Sequence, residues 1–346
     1  MMFLLIIGID GMEPSLYRRW RDELPNIRKV EEKGGFAELS APYLPISPPS
    51  WSSFMTGKKP GKHGIIDFVR LSEDRKTVPN TGADVKGEKF FEILSDYYSI
   101  GVANIPLTYP AAELGDESFV ISGMSSPEMD EDFCSSEDVR DILKETGYRL
   151  EWSRPLEEGK EEESIEDIFD VLEKRKDSYI RIIKEKDPDI FTGVFTVTDR
   201  VQHWFWKYME EDHEMHRERY DDYRDTIKDV YKEIDRAVGE ILEAADAENL
   251  LIVSDHGFGK VEKGLNINTW LMEKGYLKTK KSLRTRFKRF LFDKGFTVSN
   301  VHRLIQKLGL SWLVKSTGES TRNSLINAFF LGFSDIDWER TRVFSV

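Results

Sequence analysis

One stretch indicates how the chain is organised: Leu251-Ile252-Val253-Ser254-Asp255-His256-Gly257-Phe258-Gly259. A short apolar run ends abruptly in an acidic residue, a histidine and two glycines. Apolar runs of this length between turn residues are typical of buried strands in a parallel sheet. Ligands of such sheets bind just beyond the carboxyl ends of the strands. Asp255 and His256 would offer one oxygen and one nitrogen to a divalent metal ion there, although an Asp-His-Gly sequence alone does not specify a metal site.

Two other apolar runs end in the same way. Residues 3–9 lead into Asp10, and residues 189–197 lead into Asp199, with His203 four positions later. If the chain turns helical at Asp199, the side chains of this pair point to one face and can chelate one ion. Strands of one parallel sheet end at the same edge, so these acidic residues are expected near the one in the opening stretch. The alternative for Asp10 is a turn or a helix cap.

A proline-rich segment introduces a candidate nucleophile. The prolines between residues 42 and 49 exclude a central strand and predict a rigid extended loop, with a helix from Pro49 to about Thr56. Ser47 then lies just before a helix N-terminus, where free N–H groups and the helix dipole favour an anion. Its hydroxyl can act as a nucleophile if a metal lowers its pKa; the alternative is a helix-capping serine. We predict that His63, in the basic turn that follows, is structural.

Predicted strands and helices alternate along the chain. This alternation favours an α/β fold, a three-layer α/β/α sandwich with a mostly parallel central sheet and a helical insertion or cap. Besides the strands above, strands are predicted at 100–104 and 119–122, and helices at 14–20, 25–34, 88–98, 165–184, 220–245 and from 265.

The same reading predicts the division of the chain. Residues 1–275 form the core, which contains an acidic, irregular insertion at about 128–163. Residues 276–335 form a helical cap or accessory subdomain, and residues 336–346 are expected to begin a further core segment that is cut short. The strongly basic segment 278–289 is interpreted as a solvated helix face, with an acidic membrane surface or a phosphorylated ligand as the alternatives.

Composition limits the possible partners and compartment. The 346 residues carry a net charge of −13, which argues against nucleic-acid binding. Cys134 is the single cysteine, so the chain has no internal disulfide and no cysteine-based metal site, as expected in a reducing compartment. The apolar residues 2–9 lack a preceding basic region and are too short to span a bilayer. We therefore expect a cytoplasmic protein without stable membrane insertion; the oligomeric state stays open.

Taken together, these oxygen and imidazole groups at strand ends are what a two-metal phosphoryl-transfer site needs. The order of the motifs resembles the alkaline phosphatase superfamily, and most closely its type I phosphodiesterase/nucleotide pyrophosphatase family. The resemblance covers roughly residues 3 to 270. It is carried by Gly8-Ile9-Asp10-Gly11, the segment 47–57, Pro60-Gly61-Lys62-His63-Gly64-Ile65, Asp199-Arg200-Val201-Gln202-His203 and the segment 254–259.

The resemblance implies two divalent metal ions, zinc or alternatively manganese, and a small phosphorylated substrate. The implied ligands of the first ion are Asp10, Ser47, Asp255 and His256. Those of the second ion are Asp199 and His203. Ser47 is the implied nucleophile, which forms a phospho-serine that water then hydrolyses. Ser50 stands where nucleotide pyrophosphatases carry an asparagine that contacts the phosphoryl oxygens, and is the predicted substrate contact.

One feature departs from the family pattern. Relatives complete the second metal site with a late histidine, whereas the one histidine after His256 is His302, in a different sequence context. We therefore expect a truncated chain with weak binding of the second metal and low activity. Two alternatives stay open, namely a phosphotransferase or phosphomutase of the same superfamily and a non-catalytic protein that binds a phosphorylated ligand.

Overall fold

The computed structural model describes residues 1–151, 159–213, 218–297, 300–301 and 330–345. The strands are β1 (Met2–Ile9), β2 (Val69–Leu71), β3 (Thr77–Pro79), β4 (Ile100–Ile105), β5 (Phe119–Ser122), β6 (Ile190–Phe195) and β7 (Ala247–Val253). The α-helices are α1 (Pro14–Trp20), α2 (Pro25–Lys33), α3 (Ser47–Thr56), α4 (Pro60–His63), α5 (Phe90–Leu94), α6 (Glu137–Thr146), α7 (Glu161–Lys186), α8 (Val197–Met209), α9 (Thr226–Ala245), α10 (Ile267–Glu273) and α11 (Leu283–Asp293). Five short 3₁₀ turns lie at Arg21–Glu23, Gly82–Asp84, Glu131–Phe133, Glu218–Tyr223 and Phe333–Asp335.

Five parallel strands form the central sheet, in the order β5-β4-β6-β1-β7. In β1, Ile9 lies opposite Phe195 of β6, and Gly8 lies opposite Val253 of β7. The residues that follow these three strands therefore meet at one edge of the sheet. Strands β2 and β3 form a separate antiparallel pair.

Helices cover both faces of the sheet, because the side chains of its strands alternate between two apolar cores. On one face, Leu5, Ile7 and Ile9 of β1 pack into a core built with α1, α2 and α6 to α9. On the other face, Trp51 of α3 and Phe91 of α5 pack against β4 and β6. The predicted three-layer α/β/α arrangement with a mostly parallel sheet is confirmed.

Some predicted boundaries were wrong. Helix α3 begins at Ser47 and not at Pro49, because Ile46 is its extended N-cap. The insertion at 128–163 is not irregular throughout, since α6 lies within it. Ser136 caps α6 by accepting from the N–H of Val139, and Val139, Ile142 and Leu143 are buried in the main core.

The chain divides into two compact units, Met1–Glu262 and Lys263–Val346. This division falls before the boundary predicted at residue 275. The second unit also includes residues 336–345, in which Ile336 packs on Leu271 and Leu277. Half of the predicted cap at 276–335 lies outside the described residues. None of the described helices is long and apolar enough to cross a membrane.

The basic segment 278–289 includes the first part of helix α11. Thr285 and Lys288 are its buried residues, and Lys288 Nζ lies 2.7 Å from Oδ2 of Asp335, within the same unit. Arg284 and Arg286 are exposed.

Candidate metal centre

Three of the predicted metal ligands converge at the carboxyl edge of the sheet. One ligand atom from each of Asp10, Asp255 and His256 lies within 4.8 Å of the other two. His256 Nε2 is 3.6 Å from Oδ1 of Asp10 and 3.5 Å from Oδ2 of Asp255. These residues meet because β1 and β7 are adjacent parallel strands that end at the same level. Two carboxylates and one imidazole form a donor set that suits a divalent cation.

His256 presents a free lone pair to this cluster. Its Nδ1 lies 2.7 Å from the carbonyl oxygen of Gly257. Because a carbonyl oxygen can only accept, Nδ1 must carry the proton, and in the neutral ring Nε2 is the unprotonated nitrogen. A hydrogen bond of this kind fixes the tautomer and the ring orientation of metal-binding histidines. The geometry of His256 therefore fits a metal ligand.

Ser47 joins the same cluster from helix α3. Its Oγ lies 3.2 Å from Oδ1 of Asp10 and 3.3 Å from Nε2 of His256. As the first helical residue, Ser47 stands at the positive end of the helix dipole, which favours an anionic group. The hydroxyl therefore lies where a cation could lower its pKa and where a phosphoryl group would be stabilised.

The pair Asp199 and His203 lies beside this cluster on α8. The two side chains approach to 3.4 Å, and Oδ1 of Asp199 is 4.0 Å from Nε2 of His256. Asp199 is buried, whereas the side chain of His203 is 57% exposed and contacts the Phe258 ring edge-on at 4.8 Å. The predicted helix after β6 thus places both residues of the pair on one side, as their spacing requires.

Two buried carboxylate oxygens in this region have no hydrogen-bond donor among the described residues. Oδ1 of Asp199 and Oδ2 of Asp255 are shielded from solvent and receive no hydrogen bond from any described residue. Buried carboxylates are costly unless a positive charge or donors compensate them. A divalent cation among these oxygens would supply that compensation, so the residues present fit such an ion.

The electrostatics of the site lead to the same conclusion. Burial, together with repulsion from Asp255 and Asp199, raises the pKa of Asp10 well above its ordinary value. Burial, with repulsion from Asp199, raises the pKa of Asp255 to about 7. Without a counter-charge, the neighbouring negative charges disfavour the ionised forms of Asp10 and Asp255. A bound cation reverses this balance by favouring their ionised forms.

Buried hydrogen bonds that the sequence did not predict hold this edge in place. The indole of Trp51 donates to Oδ2 of Asp10 at 3.0 Å. Thr198 Oγ1 donates to the carbonyl of Asp10 at 2.6 Å, and Gln202 Nε2 donates to the carbonyl of Gly11 at 2.7 Å. Trp51 stands four positions after Ser47 and Gln202 three positions after Asp199 on the same helix, a spacing that could have identified them, whereas Thr198 directly precedes Asp199.

Gly11 permits the close approach of β1 and α8. Its φ is +67°, and an added Cβ would stand 3.1 Å from the Cα of Asp199. Its N–H donates to Oδ1 of Asp255 at 3.2 Å. A glycine here therefore allows both the left-handed turn and the close contact between the loop after β1 and helix α8.

Ser50 and His63 have surroundings that differ from those of Ser47 and His256. Ser50 is buried one turn after Ser47, and its Oγ receives no hydrogen bond within the described residues; its role as substrate contact stays a prediction. His63 is fully buried, with Nε2 3.0 Å from Ser53 Oγ and Nδ1 accepting from the N–H of Ile65. Burial lowers the pKa of His63, and these contacts give it a structural role. His302 lies outside the described residues.

Comparisons with known proteins give one family and one fold. A family model described as type I phosphodiesterase/nucleotide pyrophosphatase matches residues 4–304. Phosphonoacetate hydrolase from Sinorhizobium meliloti 1021, solved with phosphonoacetate, is similar with a TM-score of 0.55 and 16% identity over 81% of this chain and 64% of that chain. The same protein with phosphonoformate gives 0.54 and 16% over 79% and 62%. Murine ectonucleotide pyrophosphatase/phosphodiesterase 5 gives 0.47 and 14% over 82% and 65%.

The chain thus spans less than two thirds of the length of these solved structures. At this level of identity the likeness to phosphonoacetate hydrolase shows a shared fold. No curated protein sequence matches the chain significantly.

Proposed function

The chain belongs to the type I phosphodiesterase/nucleotide pyrophosphatase family, and we propose that it hydrolyses phosphate esters with Ser47 as nucleophile at a centre for two divalent cations. One observation carries this proposal. The Ser47 hydroxyl lies within 3.3 Å of both Asp10 and His256, which form a three-residue metal-ligand cluster with Asp255. A helix-capping serine would not need this combination of neighbours.

The two cations would be held by different residues. The first would bind Asp10, Ser47, Asp255 and His256. The second would bind Asp199 and His203. The mixed carboxylate and imidazole set favours Zn²⁺, with Mn²⁺ as the alternative. When bound, the cations would lower the pKa of the Ser47 hydroxyl and stabilise negative charge on the phosphoryl group.

The residues of the chain perform the remaining steps. The hydrogen bond to Oδ1 of Asp10 orients the Ser47 hydroxyl, which gives its proton to a water molecule. Ser47 Oγ then attacks phosphorus in line with the leaving group, so that the Oγ–P bond forms as the bond from phosphorus to the leaving oxygen breaks. The leaving oxygen takes a proton from water. A second water molecule then attacks phosphorus, so that its oxygen bonds to phosphorus as the Oγ–P bond breaks. One of its protons passes to Ser47 Oγ, which restores the hydroxyl and releases the phosphate product.

The proposal extends to the substrate and the compartment. We expect a small phosphorylated substrate, with the buried hydroxyl of Ser50 donating to a phosphoryl oxygen. The single cysteine, Cys134, is buried and free, which supports a cytoplasmic location.

Ser47→Ala tests the proposal. The chain would be incubated with zinc or manganese and with p-nitrophenyl phosphate or its diester, and acid-quenched samples would be examined by mass spectrometry for phospho-serine. We expect the variant to lose both turnover and the phospho-serine, while calorimetry still shows zinc binding, with lower affinity, through Asp10, Asp255 and His256. Ser53→Ala is the matched control, because Ser53 lies on the same helix but bonds to Pro49 and His63.

Retained turnover in Ser47→Ala would overturn the nucleophile assignment. A wild-type chain that binds zinc and phosphate but turns over neither substrate would instead be a phospho-ligand-binding protein. Product phosphorylated on an added alcohol, with little free phosphate, would identify a phosphotransferase.

A further inference from the structure

Two side chains of helix α3 donate hydrogen bonds to the two carboxylate oxygens of Asp10. The fully buried indole of Trp51 donates to Oδ2 of Asp10 at 3.0 Å. Ser47, four positions earlier and therefore on the same helix face, donates to Oδ1 of Asp10 at 3.2 Å. We propose that Trp51 is a positioning residue that turns Asp10 so that Oδ1 alone faces the nucleophile and the cation. This role rests on the metal centre proposed above.

An indole suits this task for a chemical reason. Its N–H can only donate, so Trp51 cannot bind the cation itself or accept the Ser47 proton. It also carries no charge, and therefore does not neutralise Asp10 as a lysine would. Because an unpaired N–H is costly in a buried position, the indole stays bonded to Oδ2 of Asp10. With Oδ2 held by Trp51, Oδ1 stays 3.6 Å from Nε2 of His256 and within the ligand cluster.

Strand β1 is shaped to admit this indole. Gly8 stands two residues before Asp10, so both positions lie on the same face of the sheet. A Cβ on Gly8 would stand 2.6 Å from Cη2 of Trp51 and 2.8 Å from Cγ2 of Val194. The six-membered ring of Trp51 therefore occupies the space that a side chain at residue 8 would need. The glycine and the tryptophan together fix the nucleophile-bearing helix against the ligand-bearing strand.

The first experiment detects the hydrogen bond without any cation. The indole N–H signal of Trp51 would be assigned in a ¹⁵N-labelled full-length chain by its loss in Trp51→Phe. We expect Asp10→Asn to shift this signal, because the acceptor of the bond changes from a carboxyl to an amide group, and to leave the indole signal of Trp20 in place. An unmoved Trp51 signal would overturn the proposal whatever the chain does with metals.

The second experiment measures what the bond does. Zinc affinity would be measured by calorimetry in the full-length chain for Trp51→Phe and for β-(3-benzothienyl)alanine at position 51, which keeps the ring shape and lacks the N–H. We expect both variants to bind zinc about 10- to 100-fold more weakly, as is usual when a partner of a metal ligand is removed. Their cobalt forms should show altered visible absorption, because Oδ2 of Asp10 is released to coordinate. Trp20→Phe, which also removes a buried indole, should bind zinc like the wild type.

The outcomes separate this role from the proposed function. If the wild type binds zinc and the benzothienyl variant binds it equally well, the role of Trp51 fails and the metal centre stands. If the wild type binds neither zinc nor manganese, the metal centre fails and the role fails with it. Should Trp51→Phe not fold, the benzothienyl variant decides the question, because it has the same shape as tryptophan.

Discussion

At the scale of single residues, the site combines groups that are unfavourable alone. Asp10, Asp199 and Asp255 are buried carboxylates around a helix start, and two of their oxygens receive no hydrogen bond from the described residues. Such groupings cost stability and persist where function needs them. The effect of removing one of these charges on the free energy of unfolding should therefore reverse its sign when a cation is bound.

The metal-free chain should gain stability when one of these charges is removed. We expect Asp255→Asn to raise the free energy of unfolding in EDTA at about pH 8 by about 0.5–2 kcal/mol. In the presence of zinc the wild type should be the more stable of the two proteins, because the variant loses a metal ligand. Thermal unfolding with and without zinc measures both effects. Asp235→Asn is the control: Asp235 is buried too, but accepts from Asn26 and Ile27, so its replacement should destabilise under both conditions.

The same residue predicts a pH dependence in EDTA. The pKa of Asp255 is about 7 in the folded chain and about 4 when unfolded, so the folded state keeps a proton that the unfolded state releases. The stability from this group is fully present below the unfolded pKa and is lost as pH rises through about 7. The advantage of Asp255→Asn over wild type should therefore grow over that range in thermal unfolding. Parallel pH profiles for the two proteins would contradict this.

His203 should affect the number of bound cations and not the first site. Its side chain is 57% exposed and lies 3.4 Å from Oδ1 of Asp199, which is buried. We expect His203→Ala to reduce zinc binding from two ions to one, with the affinity of the tighter site unchanged within a factor of about three. Calorimetry gives both values. A comparable loss at the tighter site would place His203 in the first set of ligands.

At the scale of elements, the loop after β1 is hydrogen-bonded to the loop after β7 and to helix α9. Ser254 Oγ accepts from the N–H of Met12, and Glu13 accepts from the N–H of Phe258. The hydroxyl of Tyr231 accepts from the N–H of Glu13. The loop after β7 is thereby tied to the loop after β1, so the ligands from the two strands are held by backbone contacts as well as by strand pairing.

Gly11→Ala should disturb this junction. The positive φ costs about 1–2 kcal/mol for an L-residue, and the added Cβ would stand 3.1 Å from the Cα of Asp199. We expect lower stability in urea unfolding and weaker zinc binding. Gly57→Ala is the matched control, because the φ of Gly57 is +63° but a Cβ there would meet open space. This variant should lose stability and keep the zinc affinity of the wild type. Equal zinc affinity in the two variants would show that the close approach does not matter.

At the scale of the whole molecule, the site belongs to one unit. The sheet, both apolar cores on its faces and the six predicted metal ligands lie within Met1–Glu262. The second unit has its own small apolar cluster around Leu271, Leu277 and Ile336. Metal binding should therefore depend on the first unit.

A chain that ends at Glu262 tests this division. We expect it to unfold cooperatively and to bind zinc with an affinity within about threefold of the full-length chain, because no predicted ligand is removed. A chain that ends at Asp246 lacks β7, Asp255 and His256, and should not bind zinc. Calorimetry and urea unfolding give the comparison. Loss of zinc binding in the longer fragment would show that residues after 262 are part of the site.

Several features were determined by the sequence alone. Three apolar runs that end in acidic residues predicted parallel strands with ligands at one edge, and the structure brings Asp10, Asp199 and Asp255 to that edge. The four-residue spacing of Asp199 and His203 predicted that the pair shares a helix face. The family and the layered fold also followed from these motifs, because strand periodicity and ligand spacing are local properties of the chain.

Other features were decided by the tertiary structure. The strand order puts β1 between β6 and β7, and this neighbourhood depends on packing that no local pattern records. Which oxygen of Asp10 faces Ser47 depends on the indole of Trp51, and the indole fits only because Gly8 on another element has no side chain. Motifs therefore predicted the candidate ligands, whereas the orientation of these side chains came from contacts between residues far apart in the chain. A side chain's hydrogen-bond partners are set by the folded packing around it.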